Sequence, residues 1–365
     1  MAVPGVRGLH PYEPGKPLAE LEREYGIRNA VKLASNENPL GPSPKAVVAG
    51  REAMADIARY PEGSGYRLTG RLAAIHGVAA DCITLGNGSN DVLDMIARVF
   101  LGPGNEAVFS QHAFAVYPIV VQAAGAKARI AVAHDGSRGP VGGHDPGAMH
   151  ALVGPATRVV FIANPNNPTG TWLTDNELRE FMASLPPHVM VVVDEAYFEY
   201  VVQEHYTDSI PWLDEFPNLI VTRTFSKAYG LAGLRIGYSV SRPGVADLLN
   251  RVRHPFNVNS IAQAAALAAL DDTDHLEHSV QTNLAGLQQL AAGFDALGLG
   301  YIESVGNFIC VDTGQPAAGV YQALLKQGVI VRPVANYGLP NHLRASVGLP
   351  AENDRLLAAL QKVLA

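Results

Sequence analysis

Four short polar segments hold the residue types that could do chemistry, and each follows an apolar run. They lie at residues 86–90, 164–170, 194–197 and 224–227. In the last segment, Lys227 becomes a nucleophile if burial and the nearby cation Arg235 lower its pKa; a solvated loop lysine is the alternative. Asp194 ends an apolar run, where a carboxylate either caps a helix or pairs with a cation or a protonated ring nitrogen. The lysine and the carboxylate are therefore the first candidates for a reactive centre.

The segment at residues 86–91, Gly-Asn-Gly-Ser-Asn-Asp, is predicted to bind an anion. It precedes a helix, and free backbone N–H groups at a helix N-terminus attract negative charge, although a plain tight turn is the alternative. Asp91 stands where the pattern G-x-G-x-x-G has its last glycine, and no early acidic residue is placed to bind a ribose. A dinucleotide-binding Rossmann protein is therefore disfavoured.

Composition narrows the function classes further. The chain has 365 residues, of which 48% are hydrophobic and 17% charged, with a net charge of −7. This excludes wholesale disorder and disfavours a nucleic-acid partner. With two cysteines, no secretory leader pattern and no apolar run near about 18 residues, we expect a cytoplasmic globular protein without a membrane partner. The 12 histidines are scattered without ligand spacing, so no metal is predicted.

The order of apolar runs predicts an α/β fold with a mainly parallel central sheet flanked by helices. Unbroken runs, typical of strands buried on both faces, lie at residues 83–85, 107–109, 159–162, 189–193 and 219–221. Ligands of such sheets bind beyond the carboxyl ends of the strands, so the four polar segments should converge. We predict a large domain at 30–250 and a smaller α+β domain formed by 251–365 with an N-terminal arm, 1–29.

Four motifs, in this order and spacing, resemble the class I/II, fold-type I aminotransferases that depend on pyridoxal 5′-phosphate. They are Asn-Pro-Asn-Asn-Pro-Thr-Gly at 164–170, Asp-Glu-Ala-Tyr at 194–197, Thr-Phe-Ser-Lys at 224–227 and Ala-Gly-Leu-Arg-Ile-Gly at 232–237. From residues 11–12 and 34–39 to 343–348, the chain is most similar to the histidinol-phosphate aminotransferases within that group.

The resemblance implies that Lys227, Asp194 and Tyr197 are catalytic. It also implies which residues contact the cofactor ring. Lys227 would form the Schiff base with the cofactor and later move a proton, and Asp194 would pair with the pyridine nitrogen. Asn167 and Tyr197 would hydrogen-bond the 3′-oxygen. Phe114 would stack on one face of the ring, and Ala196 would pack on the other.

The resemblance also implies how phosphate and substrate are held. The cofactor phosphate would be bound by Gly88, Ser89, Asn90, Thr224, Ser226 and Arg235, and by Tyr60 of the partner subunit, which implies a homodimer. Arg344, assisted by Asn167, would grip the anionic end of the substrate. The rest of the substrate pocket would be formed by Tyr12, Asn36, Asn257 and Arg332. The alternative for Arg332 is that it forms a structural ion pair and does not contact the substrate.

The implied reaction is ping-pong exchange of an amino group between L-histidinol phosphate and 2-oxoglutarate, giving imidazole-acetol phosphate and glutamate, in histidine biosynthesis. One alternative is an aminotransferase for phenylalanine or tyrosine, which would share every cofactor residue. Another is a decarboxylase of amino-acid phosphates on the same fold. A ligand sensor without catalysis is disfavoured by the intact set of Lys227, Asp194 and Asn167.

Overall fold

The computed structural model of the chain describes residues 1–365 as a layered α/β structure with a second, smaller sheet. Its strands are β1 Val31–Lys32, β2 Ile83–Gly86, β3 Glu106–Ser110, β4 Lys127–Ala131, β5 Thr157–Ala163, β6 Met190–Asp194, β7 Leu219–Thr224, β8 Gly237–Ser241, β9 Tyr301–Ile302, β10 Phe308–Asp312, β11 Val329–Ile330, β12 Arg332–Pro333 and β13 His342–Ser346.

Helices connect and cover these strands. They are α1 Pro4–Arg7, α2 Leu18–Tyr25, α3 Pro44–Ala53, α4 Tyr66–His76, α5 Ser89–Phe100, α6 Val116–Ala123, α7 Pro146–Ala151, α8 Asp175–Ser184, α9 Pro243–Val252, α10 Ser260–Leu270, α11 Thr273–Ala296, α12 Ala317–Lys326 and α13 Pro350–Leu364. None of them is long and apolar enough to cross a membrane.

The central sheet has seven strands in the order β2-β8-β7-β6-β5-β3-β4. All pairings among β7, β6, β5, β3 and β4 are parallel, which confirms the predicted mainly parallel sheet. The exception is β8, which runs antiparallel to both β2 and β7. Because β8 alone is reversed, β2 points the same way as β7, and the carboxyl ends of both strands reach the same edge.

Alternate residues of the central strands pack into two separate cores, one on each face of the sheet. Val191 and Val193 belong to the core beneath α8 and α10, whereas Val192 belongs to the core beneath α5 and α6. Successive strand side chains point to opposite faces, so a strand covered on both sides is apolar at most positions. Each fully buried side chain of this kind contributes about 1.5–3 kcal/mol, so the sheet is a rigid base for the loops at its edge.

The C-terminal part of the chain folds around a four-stranded antiparallel sheet of order β12-β13-β10-β9. Helices α11, α12 and α13 cover it through a core that includes Leu290 and Leu356. The N-terminal segment joins this part, because β1 pairs in parallel with β11. The division at residues 30 and 250 stays a prediction.

Candidate active site

The carboxyl ends of the central strands border a cavity of about 230 Å³ that also contacts the C-terminal part of the chain. It gathers most of the residues named above for catalysis, cofactor and substrate: Tyr12, Asn36, Ser89, Asn90, Phe114, Asn167, Asp194, Ala196, Tyr197, Thr224, Ser226, Lys227, Arg235 and Arg344. The cavity is also lined by five residues for which no role was predicted: Ser35, Glu37, Ala163, Pro165 and Ala232. The four polar segments therefore meet in one place.

Four of the named residues lie outside the lining of this cavity. Gly88 packs directly behind Arg235, since a Cβ at residue 88 would come within 2.3 Å of the guanidinium. Arg332 is buried next to Arg344 on the neighbouring strand. Asn257 donates its amide to the carbonyl of Leu85 and to Asp91, beneath the glycine loop.

Tyr60, the fourth of them, is on the surface of the chain. It is 82% exposed and stacks on Phe256 with ring centroids 4.7 Å apart. A surface position is the one from which a side chain can contact a second subunit.

Lys227 lies in the loop that follows β7, and its amine faces the cavity. Nζ donates a hydrogen bond to the carbonyl of Ser35 at 3.0 Å. Burial first, and the guanidinium of Arg344 second, lower the pKa of Lys227 from 10.5 to about 7. A substantial fraction of the amine is therefore neutral and nucleophilic at pH 7, where an ordinary lysine is almost fully protonated.

Asp194, the last residue of β6, places its carboxylate on the cavity wall with both oxygens occupied. Oδ2 accepts from the Tyr117 hydroxyl at 2.9 Å, and Oδ1 accepts from the Thr222 hydroxyl at 3.0 Å. Burial raises the pKa of Asp194, and the two hydroxyl donors oppose that rise. Neither donor was predicted from the sequence, although Tyr117 supplies the only polar side-chain atom in the run at 114–121.

Asn167 and Tyr197 are each tied to a residue that packs with the C-terminal part. The Asn167 amide oxygen accepts from the Arg344 guanidinium at 2.5 Å. The Tyr197 hydroxyl accepts from the Asn36 amide at 2.9 Å, and Asn36 is fixed in turn by Ser346. The two side chains expected to contact the cofactor 3′-oxygen are thus held from the opposite side of the cavity.

The other end of the cavity is built to hold an anion. The backbone N–H groups of Ser89 and Asn90, at the start of α5, have no acceptor within the chain. The Arg235 guanidinium lies against the backbone at Gly88, in a space that a Cβ would fill, and it donates to the Ser226 hydroxyl at 3.3 Å. A helix N-terminus beside an arginine and hydroxyl groups fits a phosphate.

Arg332 and Arg344 form a second anion-binding feature. They are direct cross-strand neighbours on β12 and β13, so their side chains leave the same face of the sheet. Both are buried; Arg344 contacts Asn167 and the Ala34 carbonyl, Arg332 contacts the ring of Tyr12, and neither pairs with a carboxylate. Like charges placed opposite each other repel, so an anion bound at Arg344, which lines the cavity, would stabilise the pair.

The chain matches the model of the family "Aminotransferase class I and II" over residues 28–360. It belongs to this family. Among relatives of known name, it is 60% identical over 364 residues to histidinol-phosphate aminotransferase 2 of Methylococcus capsulatus, covering 100% of this chain and 98% of that protein. It is 58% identical over 367 residues to histidinol-phosphate aminotransferase 2 of Pseudomonas aeruginosa, with the same coverage of both chains.

Two solved structures share the fold. The histidinol-phosphate aminotransferase of Sinorhizobium meliloti, solved in complex with pyridoxal-5′-phosphate, superposes with a TM-score of 0.90 at 30% identity, covering 100% of this chain and 97% of that one. A mutant aspartate aminotransferase of Thermus thermophilus, at 22% identity and a TM-score of 0.85, covers 100% of this chain and 99% of that one and shows the fold alone. The expected fold-type I architecture is confirmed.

Proposed function

We propose that this aminotransferase uses pyridoxal 5′-phosphate to exchange an amino group between L-histidinol phosphate and 2-oxoglutarate. The buried pair Arg332 and Arg344 is the observation that carries the proposal, because neither guanidinium has an anionic partner within the chain. Histidinol phosphate carries a phosphate and glutamate a second carboxylate, so one cationic pair can serve both half-reactions. The names of the M. capsulatus and P. aeruginosa relatives support the same substrate.

The residues of the cavity fit the cofactor. Arg235, Ser226 and the start of α5 would hold its phosphate, Lys227 would hold its carbonyl carbon, and Asp194 would hold its ring nitrogen. When bound, pyridoxal phosphate supplies an electron-accepting ring for the carbanion formed as the substrate Cα loses a proton. An ionised Asp194 is needed to keep a ring nitrogen protonated, and the hydroxyl donors on both of its oxygens favour that ionised form.

Lys227 would perform the proton transfers. A pKa near 7 is suited to an amine that must take a proton from carbon and return it near neutral pH. Arg344 lowers that pKa and faces the same cavity, so an anion bound at Arg344 would offset its charge and raise the basicity of Lys227. Binding of the correct anionic substrate would thus make the base stronger at the moment it is used.

Glutamate formation from 2-oxoglutarate tests this function. The purified holoenzyme would receive either histidinol phosphate or phenylalanine as amino donor, with Lys227→Ala as the inactive control. Faster turnover by at least tenfold with histidinol phosphate supports the proposal. Preference for phenylalanine would make the chain an aromatic aminotransferase, and release of carbon dioxide from an amino-acid phosphate without 2-oxoglutarate would make it a decarboxylase.

We also propose that the active form is a homodimer to which Tyr60 contributes from the partner subunit. Tyr60 and its stacking partner Phe256 are exposed, and so are three further apolar side chains near Tyr60 in the sequence, Met54, Ile57 and Tyr66. Apolar side chains grouped in this way are typical of an interface. Sedimentation of the wild-type protein should give twice the monomer mass of 38.7 kDa, and a monomeric active enzyme would refute the arrangement.

A cytoplasmic location agrees with this biosynthetic role. Cys82 and Cys310 are both buried and unpaired, as is usual where thiols stay reduced. Fractionation of the source cells, followed by detection of the protein, would test the location.

A further inference from the structure

One of the two hydroxyl donors to Asp194 belongs to a buried phenol that lies behind the cavity and does not line it. Tyr117 lies on α6 and is completely buried, with its hydroxyl 2.9 Å from Oδ2 of Asp194. The contact joins residues that are 77 positions apart in the chain. A buried hydroxyl has few possible partners, and this one donates to the carboxylate expected to face the cofactor ring.

We propose that Tyr117 is a positioning residue that keeps Asp194 ionised and fixed in orientation, and so sets the protonation of the cofactor ring nitrogen. The proposal rests on the proposed function, since it needs a ring nitrogen opposite Asp194. Thr222 does the same for the other oxygen, at 3.0 Å from Oδ1. Together the two hydroxyls leave the carboxylate little freedom to rotate.

Aromatic packing keeps the phenol in place. The Tyr117 ring stacks on Phe161, with centroids 4.9 Å apart and planes inclined by 14°. It also meets the edge of Phe114 at 5.8 Å and 89°. Phe114 lines the cavity and is the residue expected to stack on the cofactor. Tyr117 therefore supports both the carboxylate of Asp194 and the ring of Phe114.

The hydrogen bond from Tyr117 favours the ionised form of Asp194. A hydroxyl that donates to a carboxylate stabilises the charged form, while burial favours the neutral acid. The backbone N–H of Ala196 and the charge of Lys227 also favour the ionised carboxylate, and both remain when the phenol is removed. Without the phenol, Asp194 would move towards the neutral acid, which cannot hold a protonated ring nitrogen as an ion pair.

Tyr117→Phe removes the hydroxyl and leaves the ring, so it tests the hydrogen bond and not the packing. We expect the dissociation constant of pyridoxal phosphate to rise about tenfold, the loss typical of a hydrogen bond to a charged group. The ¹⁵N resonance of the labelled ring nitrogen in the holoenzyme should also move towards the unprotonated position. Tyr238→Phe is the matched control, because this buried phenol contacts His76 and not Asp194, and both readouts should stay within about twofold of wild type.

A double-variant comparison separates positioning from simple support of the fold. In an Asp194→Ala background the phenol has no carboxylate to act on, so Tyr117→Phe should cause no further change in cofactor affinity. The same tenfold loss in that background, or an unchanged affinity and resonance in the single variant, would overturn the proposal. If Tyr117→Phe fails to fold, Thr222→Val must show the same two changes, and wild-type values there would overturn it equally.

None of these readouts needs an amino donor. A wild-type protein that binds the cofactor but does not use histidinol phosphate would refute the proposed substrate and leave the role of Tyr117 open to measurement. The two proposals can therefore fail separately.

Discussion

Replacing Lys227 with methionine should stabilise the cofactor-free protein at acidic pH. In the folded protein the pKa of Lys227 is lowered from 10.5 to about 7, while in the unfolded chain it returns to its ordinary value. Between these two pKa values the unfolded chain binds a proton that the folded protein does not, so wild-type stability rises with pH in that window. Below pH 7 both states are protonated, and the folded state bears the full cost of a buried charge.

The size of the effect follows from the gap between the two pKa values. At 1.36 kcal/mol for each pKa unit, the gap corresponds to about 5 kcal/mol at most. Water in the open cavity screens the charge, and the variant loses the hydrogen bond to Ser35, so we expect about 2–4 kcal/mol at pH 6. With about 2.1 cal/mol/K of unfolding entropy per residue, this is a rise in Tm of about 3–5 °C for 365 residues.

Thermal unfolding of cofactor-free Lys227→Met and wild type at pH 6 and pH 10 measures this effect. The advantage of the variant should fall to about 1 kcal/mol at pH 10, where the folded amine is already neutral. Lys326→Met is the control, because Lys326 is exposed and forms no ion pair, and its Tm should match wild type at both pH values. An equal Tm for Lys227→Met and wild type at pH 6, or a gain that is the same at pH 10, would show that burial does not destabilise the charged amine.

Three further substitutions test other parts of the cavity. Arg344→Gln should raise KM for both substrates by about 30-fold or more, because a buried anion loses its main cationic partner; steady-state kinetics would show an unchanged KM if another residue binds the anion. Asp194→Ala should still bind cofactor but lose about 100-fold or more in kcat, and wild-type turnover would rule out its role at the ring nitrogen. Gly237→Ala should weaken cofactor binding about tenfold or more, because its Cβ would lie 2.5 Å from the backbone nitrogen of Ser89. A Cβ at Gly233 meets nothing within 4 Å, so Gly233→Ala should bind cofactor like wild type, and an equal loss in both variants would contradict the steric argument.

Strands with unbroken apolar runs could be predicted from the sequence, whereas β8 and β4 could not. The runs at 83–85, 159–162 and 219–221 lie within β2, β5 and β7, because strands covered on both faces are usually rich in apolar residues. The strand β8, Gly-Tyr-Ser-Val-Ser, has small polar residues between its apolar ones and was not predicted. The edge strand β4 was also not predicted, since its partly exposed residues include Lys127 and Arg129.

The same limit applies to the cavity. Residues at strand ends or in the loops that follow them, such as Asp194 and Lys227, could be placed because the sheet topology brings strand ends together. The donors Tyr117 and Thr222 could not, because their contacts with Asp194 depend on side-chain packing between separate elements. The exposure of Tyr60 is likewise explained only when a second subunit is considered.

The pairing of β1 with β11 determines when the active site can form during synthesis of the protein. Val31 pairs with Val329, so one of the first strands to leave the ribosome finds its partner only after almost all of residues 1–365 have been made. Ser35 and Asn36 follow β1 directly, and they hold Lys227 and Tyr197 in place. Contacts between such distant segments form late, after the local helices and the central sheet. A nascent chain that stops short of β11 would therefore contain Lys227 and Asp194 and still lack the β1–β11 pairing that places Ser35 against Lys227 and Asn36 against Tyr197.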